Sequence, residues 1–255
     1  GQAVPRTEDP RLLRGEGRFV ADFTLADQAY GYVLRSPHAF AKINGIDISK
    51  AEEAPGVLAV LTGADMEADQ IGPLPNIIPP LPNIDPDQMF IAKRHILATD
   101  MARLAGHEIA FIVAESRHVA EDAQALIDVD YQTLKPIVDV RQALGENAPL
   151  AHDGAPDNLA AELNVKYGDI DEVFANADHH LNTRFMQHRG GCHAMECRGV
   201  VAVHDPRENE LTIWSATQCP YLIRRALAKQ FDLPEENLRL IAPDVGGGFG
   251  PKAGY

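Results

Sequence analysis

The sequence predicts an α+β fold, because short strand and helix patterns follow one another without regular alternation along its 255 residues. Hydrophobic residues make up 45% of the chain and charged residues 24%, which is enough apolar material for a well-formed core. A doubly wound parallel sheet would instead show strands and helices in strict alternation. Proline and polar residues at 147–149 mark a domain boundary, so we expect one unit over residues 1–145 and a second over 146–255.

The first unit is expected to consist mainly of strands. Branched or aromatic residues and apolar–polar alternation predict them at 19–20, 29–34, 41–48, 57–61, 109–113 and 129–131. Residues 51–54 favour a short helix, and Ser116 can cap a second helix that follows it. Six prolines between Gly72 and Pro86 predict an extended loop, because each proline removes a backbone donor and restricts its predecessor.

The second unit combines strands with one helix and ends in a glycine cluster. Strand patterns occur at 181–186, 199–204, 211–216 and 238–242. Pro220 suits the first turn of a helix, and the apolar residues from Leu222 to Phe231 form one face of it. The glycines begin directly after the last strand, so a loop lies at its carboxyl end.

The bulk properties exclude several classes of protein. A formal net charge of −14 opposes binding to nucleic acid or to an anionic membrane. The cysteines Cys192, Cys197 and Cys219 are too few for a disulfide scaffold, and they lack the second ligand pair of a zinc site. No apolar run reaches the ~20 residues of a membrane span, and the polar first ten residues do not resemble a signal peptide. We expect a cytoplasmic protein, with the periplasm as the remaining option.

The glycine-rich stretch 245–252 is the most informative local pattern. Consecutive glycines bring amide groups close to a ligand, so such a loop can bind anions or polar oxygens, although a tight turn explains it equally well. A Walker A loop is excluded, because proline precedes the loop lysine and alanine follows it. Gly248, Gly250 and Ala253 satisfy the dinucleotide spacing Gly-x-Gly-x-x-Gly/Ala, which keeps a nicotinamide-dependent dehydrogenase open as an alternative.

Long segments of the chain carry a resemblance to a known family. Residues 211–250, read as strand, helix and glycine loop, are similar throughout to the large, molybdenum-cofactor-binding subunit of molybdenum hydroxylases. This is the family of xanthine dehydrogenase, aldehyde oxidase and aerobic carbon monoxide dehydrogenase. Three further stretches resemble it: 5–13, 34–39 and 114–131. The pattern departs from the family at 106–108 and 190–193.

The resemblance implies a fold and a set of site residues. We expect an α/β hammerhead domain, followed by the first part of the molybdenum-cofactor-binding domain. Gln218 and Phe249 are expected near molybdenum, reaching it through the ligands of the metal. The cofactor-binding residues implied are Gln218, Gly247, Gly248, Phe249 and Gly250. A catalytic base is expected outside this chain.

Three polar residues near this loop receive structural rather than catalytic roles. We expect Glu196 to pair with Arg198 or with a backbone amide. His193 is expected to be a structural histidine, because it lacks partners at metal-ligand spacing. Lys252 is expected to be solvated or to face a phosphate.

The implied activity is hydroxylation of an aldehyde, an N-heterocycle or carbon monoxide, with water as the oxygen source. The cofactor implied is molybdenum–molybdopterin in its cytosine dinucleotide form. Electrons would pass to [2Fe–2S] clusters and FAD on partner chains, because this chain has no four-cysteine cluster motif. We further expect the remainder of the molybdopterin subunit as a partner, a dimer of such heteromers, and no molybdenum on the chain when it is isolated.

Two expectations narrow this interpretation. Purine-oxidising members carry a glutamate after the loop lysine, whereas this chain has Ala253, so we expect a substrate other than a purine. A non-catalytic interaction module built on the first unit is the remaining alternative to an enzyme; it predicts that the glycine loop is dispensable.

Overall fold

The computed structural model describes residues 1–75, 89–155, 157–187 and 190–254 and confirms the α+β class. In this part of the chain the strands are β1 (Tyr30–Arg35), β2 (Ala41–Asp47), β3 (Val57–Thr62), β4 (Met101–Ala102), β5 (Glu108–Ala114), β6 (Asp128–Thr133), β7 (Val200–Asp205), β8 (Glu210–Ser215) and β9 (Leu238–Ile241). The helices are α1 (Asp9–Leu13), α2 (Ser49–Glu52), α3 (Gly63–Ala68), α4 (Arg117–Ala123), α5 (Val140–Ala143), α6 (Ile170–Ala175) and α7 (Pro220–Gln230).

The first sheet has the strand order β1-β5-β3 and is antiparallel throughout. Helices α2 and α4 pack on it, and small residues of the helices meet branched residues of the strands. Ala51 and Ala120 lie fully buried against Val60 and Ile112. The alanines allow the helix backbones to approach the sheet closely, so this layer of the core is thin and tightly packed.

The second sheet, with the order β4-β2-β6, covers the opposite face of the first. Successive side chains of a strand point to opposite faces, so Ile109 of the central strand faces away from Ile112. Ile109 joins Ile43 and Ala102 in a second buried cluster. The strand β5 is therefore buried on both faces, and it is the centre of the first unit.

The third sheet has the order β7-β8-β9. Strands β7 and β8 form an antiparallel hairpin, whereas β8 and β9 are parallel and are joined by α7. The helix packs against β9, and Ile223 lies buried beside Ile213 and Leu238 in the core of this unit. Because β8 and β9 run in the same direction, their carboxyl ends meet at one edge of the sheet.

The N-terminal arm, which we define as residues 11–23, lies on the third sheet rather than on the first two sheets. Arg11 donates two hydrogen bonds to the carboxylate of Asp244, at 2.7 and 2.6 Å. The backbone N–H of Arg18 donates to the same carboxylate at 2.7 Å. Phe23 stacks on Trp214 with ring centroids 5.6 Å apart. The two termini of the described chain thus pack together.

Residues between the two units contact both of them. Arg103 of the first unit donates to the carbonyl of Ala151 at 2.6 Å. The side chain of Asn158 accepts from the backbone N–H of Ala151 and donates to the carbonyls of Ala143 and Pro149. The division at residues 145 and 146 stays a prediction.

Two predicted strands are wrong. Residues 181–186 belong to no strand, and the described part of the chain pairs no strand with them. Alternation produces a strand only where another strand supplies backbone partners; here Leu181 and Phe185 are exposed instead. At residues 19–20 the chain turns into a 3₁₀ helix over Val20–Asp22, because the Asp22 carboxylate accepts the N–H of Phe19 at 2.8 Å.

Most of the predicted proline loop, residues 76–86, lies outside the described residues. Its first part is anchored by a single bridge between Leu74 and Arg94. Among the residues that the structure does describe, none of the helices has both the length and the apolar content to cross a membrane.

Candidate functional site

The parallel pair β8 and β9 brings the predicted site residues together at one edge of the third sheet. Gln218 follows the end of β8 by three residues, and the glycine loop, residues 246–252, follows the end of β9. The side-chain oxygen of Gln218 accepts the backbone N–H of Gly250 at 2.9 Å. Residues that are 32 positions apart in sequence therefore contact one another at this edge.

The loop backbone adopts conformations that favour glycine. Gly247 and Gly250 have φ angles of 94° and 96°. Phe249 has a φ of 52°, a left-handed conformation that side-chain-bearing residues rarely adopt and that costs ~1 kcal/mol or more. Phe249 is 66% exposed, so burial of its ring does not compensate for this cost.

The contact to Gly250 fixes the orientation of the Gln218 amide. A backbone N–H can donate only to the amide oxygen, so Oε1 faces Gly250 and the Nε2 group must face the other way. The backbone N–H of Gln218 donates to the carbonyl of Lys252 at 3.0 Å, and buried Thr217 donates its hydroxyl to the same carbonyl at 3.1 Å. The glutamine is thus held at both its backbone and its side chain.

The glycines are required for close contacts as well as for backbone angles. A β-carbon on Gly248 would lie 2.5 Å from Cγ of Gln218 and 2.7 Å from its Oε1. A β-carbon on Gly246 would lie 2.5 Å from Cβ of Glu196. Both positions therefore exclude any residue with a side chain unless a neighbour moves.

Glu196 and Lys252 form a buried ion pair below the loop. The Oε2 atom of Glu196 accepts from Lys252 Nζ at 2.8 Å and from the Gly246 N–H at 2.8 Å. The side chain of Lys252 is only 3% exposed, so the expectation that it is solvated or faces a phosphate is wrong. The expected backbone-amide partner of Glu196 is confirmed. Its ionic partner, however, is Lys252, since Arg198 donates to the carbonyl of Pro251.

This ion pair was not predicted. Glu196 was expected to pair with Arg198 or with a backbone amide, and Lys252 was given no partner within the chain. Sequence separation of 56 residues conceals the contact. His193, which was expected to be a structural histidine, is exposed.

Asp244, two residues before the loop, is a second acidic residue whose carboxylate accepts several hydrogen bonds. Hydrogen bonds from the Arg11 side chain and then from the Arg18 backbone lower the pKa of Asp244 from 3.8 to about 2. The loop is therefore attached to the N-terminal arm on one side and to Glu196 on the other.

Several hydrogen-bond donors at this edge have no partner in the part of the chain that the structure describes. Within the described residues, the N–H groups of Gly247, Gly248 and Phe249 and the Nε2 group of Gln218 find no acceptor. Such a surface suits the oxygen, sulfur or phosphate atoms of a ligand. In the same residues, no three His, Cys, Asp or Glu side chains come together to hold a metal ion. The donor set thus fits a cofactor that is bound through its own acceptor atoms.

Two family models cover most of the chain. Residues 14–135 match the aldehyde oxidase and xanthine dehydrogenase a/b hammerhead domain, and residues 151–255 match the molybdopterin cofactor-binding domain.

Curated relatives and a solved structure agree with these models. The chain is 36% identical over 259 residues to the nicotine 6-hydroxylase large subunit of Paenarthrobacter nicotinovorans, covering 99% of the chain and 30% of the relative. It is 35% identical over 263 residues to the carbon monoxide dehydrogenase large chain of Afipia carboxidovorans, covering 98% of the chain and 31% of the relative. The crystal structure of quinoline 2-oxidoreductase from Pseudomonas putida 86 superposes with a TM-score of 0.88 at 34% identity, over 99% of the chain and 31% of that structure.

The chain spans about 30% of the length of the curated relatives it matches. The match runs through both units, the hammerhead sheets and the glycine-loop edge of the third sheet. The chain therefore belongs to the molybdenum hydroxylase family of aldehyde oxidase and xanthine dehydrogenase, as an enzyme-subunit segment that carries a hammerhead domain and part of a molybdopterin cofactor-binding domain.

Proposed function

We propose that this chain forms one wall of the cofactor site in a molybdenum-dependent hydroxylase. The observation that carries the proposal is the donor surface at the edge of the third sheet. There, the Oε1 contact to Gly250 leaves the amide nitrogen of Gln218 available beside three unpaired loop amides. Gln218, Gly247, Gly248 and Phe249 would hold the cofactor through these donors. Gly250 acts indirectly, because its N–H orients Gln218.

When bound, the molybdenum cofactor supplies the two-electron oxidation of a substrate carbon, with water as the source of oxygen. The residues of this chain orient and hydrogen-bond. Glu196 does not act as a general base, because its Oε2 already accepts two hydrogen bonds and Lys252 compensates its charge. A base would come from polypeptide beyond these residues. The cofactor is proposed to be the cytosine dinucleotide form.

The substrate is proposed to be an N-heterocycle, an aldehyde or carbon monoxide rather than a purine. Nicotine, quinoline and carbon monoxide give their names to three compared proteins that are 34–36% identical to the chain, whereas relatives named for hypoxanthine or xanthine are 29–31% identical. Ala253 offers no polar side chain to a purine ring, and an unpaired buried ring nitrogen costs about 1–3 kcal/mol. That corresponds to roughly ten- to a hundredfold in discrimination.

A nicotinamide site is disfavoured by the family match. The glycine loop lies within residues 151–255, which match the molybdopterin cofactor-binding domain. Equilibrium dialysis with NAD checks this point, since retention of NAD would restore the alternative.

The test uses the complete complex that contains this chain. Elemental analysis should find molybdenum, and an artificial electron acceptor should report turnover of quinoline, nicotine, an aromatic aldehyde or carbon monoxide. Gly247→Val should abolish cofactor loading, since the added side chain meets the Phe249 ring and Ala194. Intact activity in this variant would favour the interaction module. Xanthine turnover comparable to the best substrate would overturn the substrate proposal.

A further inference from the structure

The carboxylate of Glu196 contacts both ends of the glycine loop. Its Oε2 atom accepts the N–H of Gly246 at the start of the loop and the ammonium group of Lys252 at its end, each at 2.8 Å. The backbone N–H of Glu196 also donates to the carbonyl of Gly246 at 3.1 Å. One residue therefore fixes the distance between the two ends.

Lys252 connects this contact to Gln218. Its ammonium group bonds to Glu196, whereas its carbonyl accepts hydrogen bonds from the backbone of Gln218 and the hydroxyl of Thr217. Lys252 is therefore held at its ammonium group by Glu196, and its own carbonyl holds Gln218. Loss of the ion pair would remove one of the restraints on the residue that positions the glutamine.

The burial of the pair makes it sensitive to the loss of either charge. The side chains of Lys252 and Glu196 are 3% and 16% exposed. A buried charge is stable only when it is paired, and removal of one partner leaves the other uncompensated. Oε1 of Glu196 is buried without a hydrogen-bond partner in the described part of the chain, so the carboxylate depends on Oε2 for its contacts.

We propose that Glu196 and Lys252 are positioning residues that hold the glycine loop in its cofactor-binding conformation and set the orientation of Gln218. The inference rests on the proposed function for its consequence in catalysis. The contacts of Glu196 with Gly246 and Lys252, which we call the clamp, belong to the loop itself. Amide hydrogen exchange of the loop can therefore be measured with or without cofactor.

The experiment measures amide hydrogen exchange of residues 243–254 in the complete protein, together with its molybdenum content. The variants are Lys252→Met, Glu196→Gln and the double variant, with Lys229→Met as a matched control on the exposed side of α7. In Lys252→Met, the Gly246 and Gly250 amides should exchange roughly ten- to a hundredfold faster, because a charge-assisted contact is lost. Molybdenum content should fall in parallel, whereas the hammerhead peptides should be unchanged.

The double variant separates a clamp from general destabilisation. Glu196→Gln retains an acceptor for Gly246 and removes the charge that Lys252→Met leaves unpaired. The double variant should therefore exchange more slowly than Lys252→Met alone and recover part of the molybdenum. Exchange in Lys252→Met equal to that in Lys229→Met, or additive effects in the double variant, would overturn the inference. An absence of molybdenum from the wild-type protein would overturn the proposed function instead. The exchange rates would still show whether Glu196 and Lys252 hold the loop in place.

Discussion

Gly248 has room for nothing larger than a hydrogen atom, because its α-carbon faces the side chain of Gln218. Gly248→Ala would place a methyl group 2.5 Å from Cγ of that glutamine. The glutamine must then leave Gly250, and we expect molybdenum content and activity of the complex to fall together by tenfold or more, given ~1–3 kcal/mol for the displaced contacts. Metal analysis and steady-state turnover measure this change.

Gly191→Ala is the matched control, since a β-carbon there would meet nothing closer than 3.9 Å. It should leave molybdenum content unchanged. Equal losses in the two variants would show that the loop contact is not the cause.

The resemblance implied Gln218 and the loop glycines as site residues, and they lie together in the structure, but their role in binding the cofactor stays a prediction. The burial of Lys252 was not predictable from residue type, because lysine is rarely buried and its partner lies 56 positions away.

The helix α4 begins where its capping residue predicts. Ser116 accepts the N–H of Val119 at 3.3 Å. Ser116→Ala should lower the free energy of unfolding by about 1 kcal/mol, because the backbone N–H of Val119 in the first turn of the helix loses its acceptor. Ser116→Thr retains the oxygen and should stay within a few tenths of a kcal/mol of wild type. Urea unfolding followed by circular dichroism measures both, and an Ala variant as stable as the Thr variant would contradict the prediction.

Elements with local signals were predictable, and elements that need a distant partner were not. Pro220 begins α7 as expected, since its missing N–H falls where no acceptor is required. Helix α3 was missed, although the Asp65 carboxylate accepts both the N–H and the hydroxyl of Thr62. Residues 181–186 carry a strand pattern without a strand beside them in the described chain.

The N-terminal arm should undock in acid. Folding lowers the pKa of Asp244 to about 2, so its ion pair with Arg11 is present above about pH 4 and is lost as the pH falls through about 2. Trp214 is the single tryptophan and stacks on Phe23 of the arm, so its fluorescence reports docking. Asp244→Asn should differ from wild type at neutral pH, and the difference should shrink below about pH 4.

Asp139 provides the matched control. The hydrogen bond from Arg141 lowers the pKa of Asp139 to about 2 as well, but this pair is local to the start of α5. Asp139→Asn should leave Trp214 fluorescence unchanged at every pH. The same response in both variants would show that the signal does not follow the arm.

At the scale of the whole molecule, the proposed oxidation requires an electron acceptor outside this chain. Its three cysteines are free and cannot form a four-cysteine cluster. We expect the native complex to show the visible absorption of [2Fe–2S] clusters, and of FAD, and to lose it when substrate is added without an acceptor. A colourless complex that still turns over substrate would contradict this expectation.

The overall architecture was predictable only through resemblance. Periodicity alone indicates an α+β chain, and it does not specify which strands pair. The order β1-β5-β3 joins strands about eighty residues apart (β1 and β5) and about fifty residues apart (β5 and β3), whereas β7-β8-β9 joins neighbours. Long-range pairing depends on burial on both faces of β5, which single-residue patterns do not encode.

The contact between Arg11 and Asp244 also has a consequence for how the molecule folds. It closes a loop of 233 residues, whereas the third sheet forms within the segment 200–241. Contacts that close long loops form slowly, because the chain must lose more entropy before it gains them. During synthesis the arm emerges well before Asp244 and has no docking partner until that residue has been added, so it reaches its native place only after the third sheet has been made.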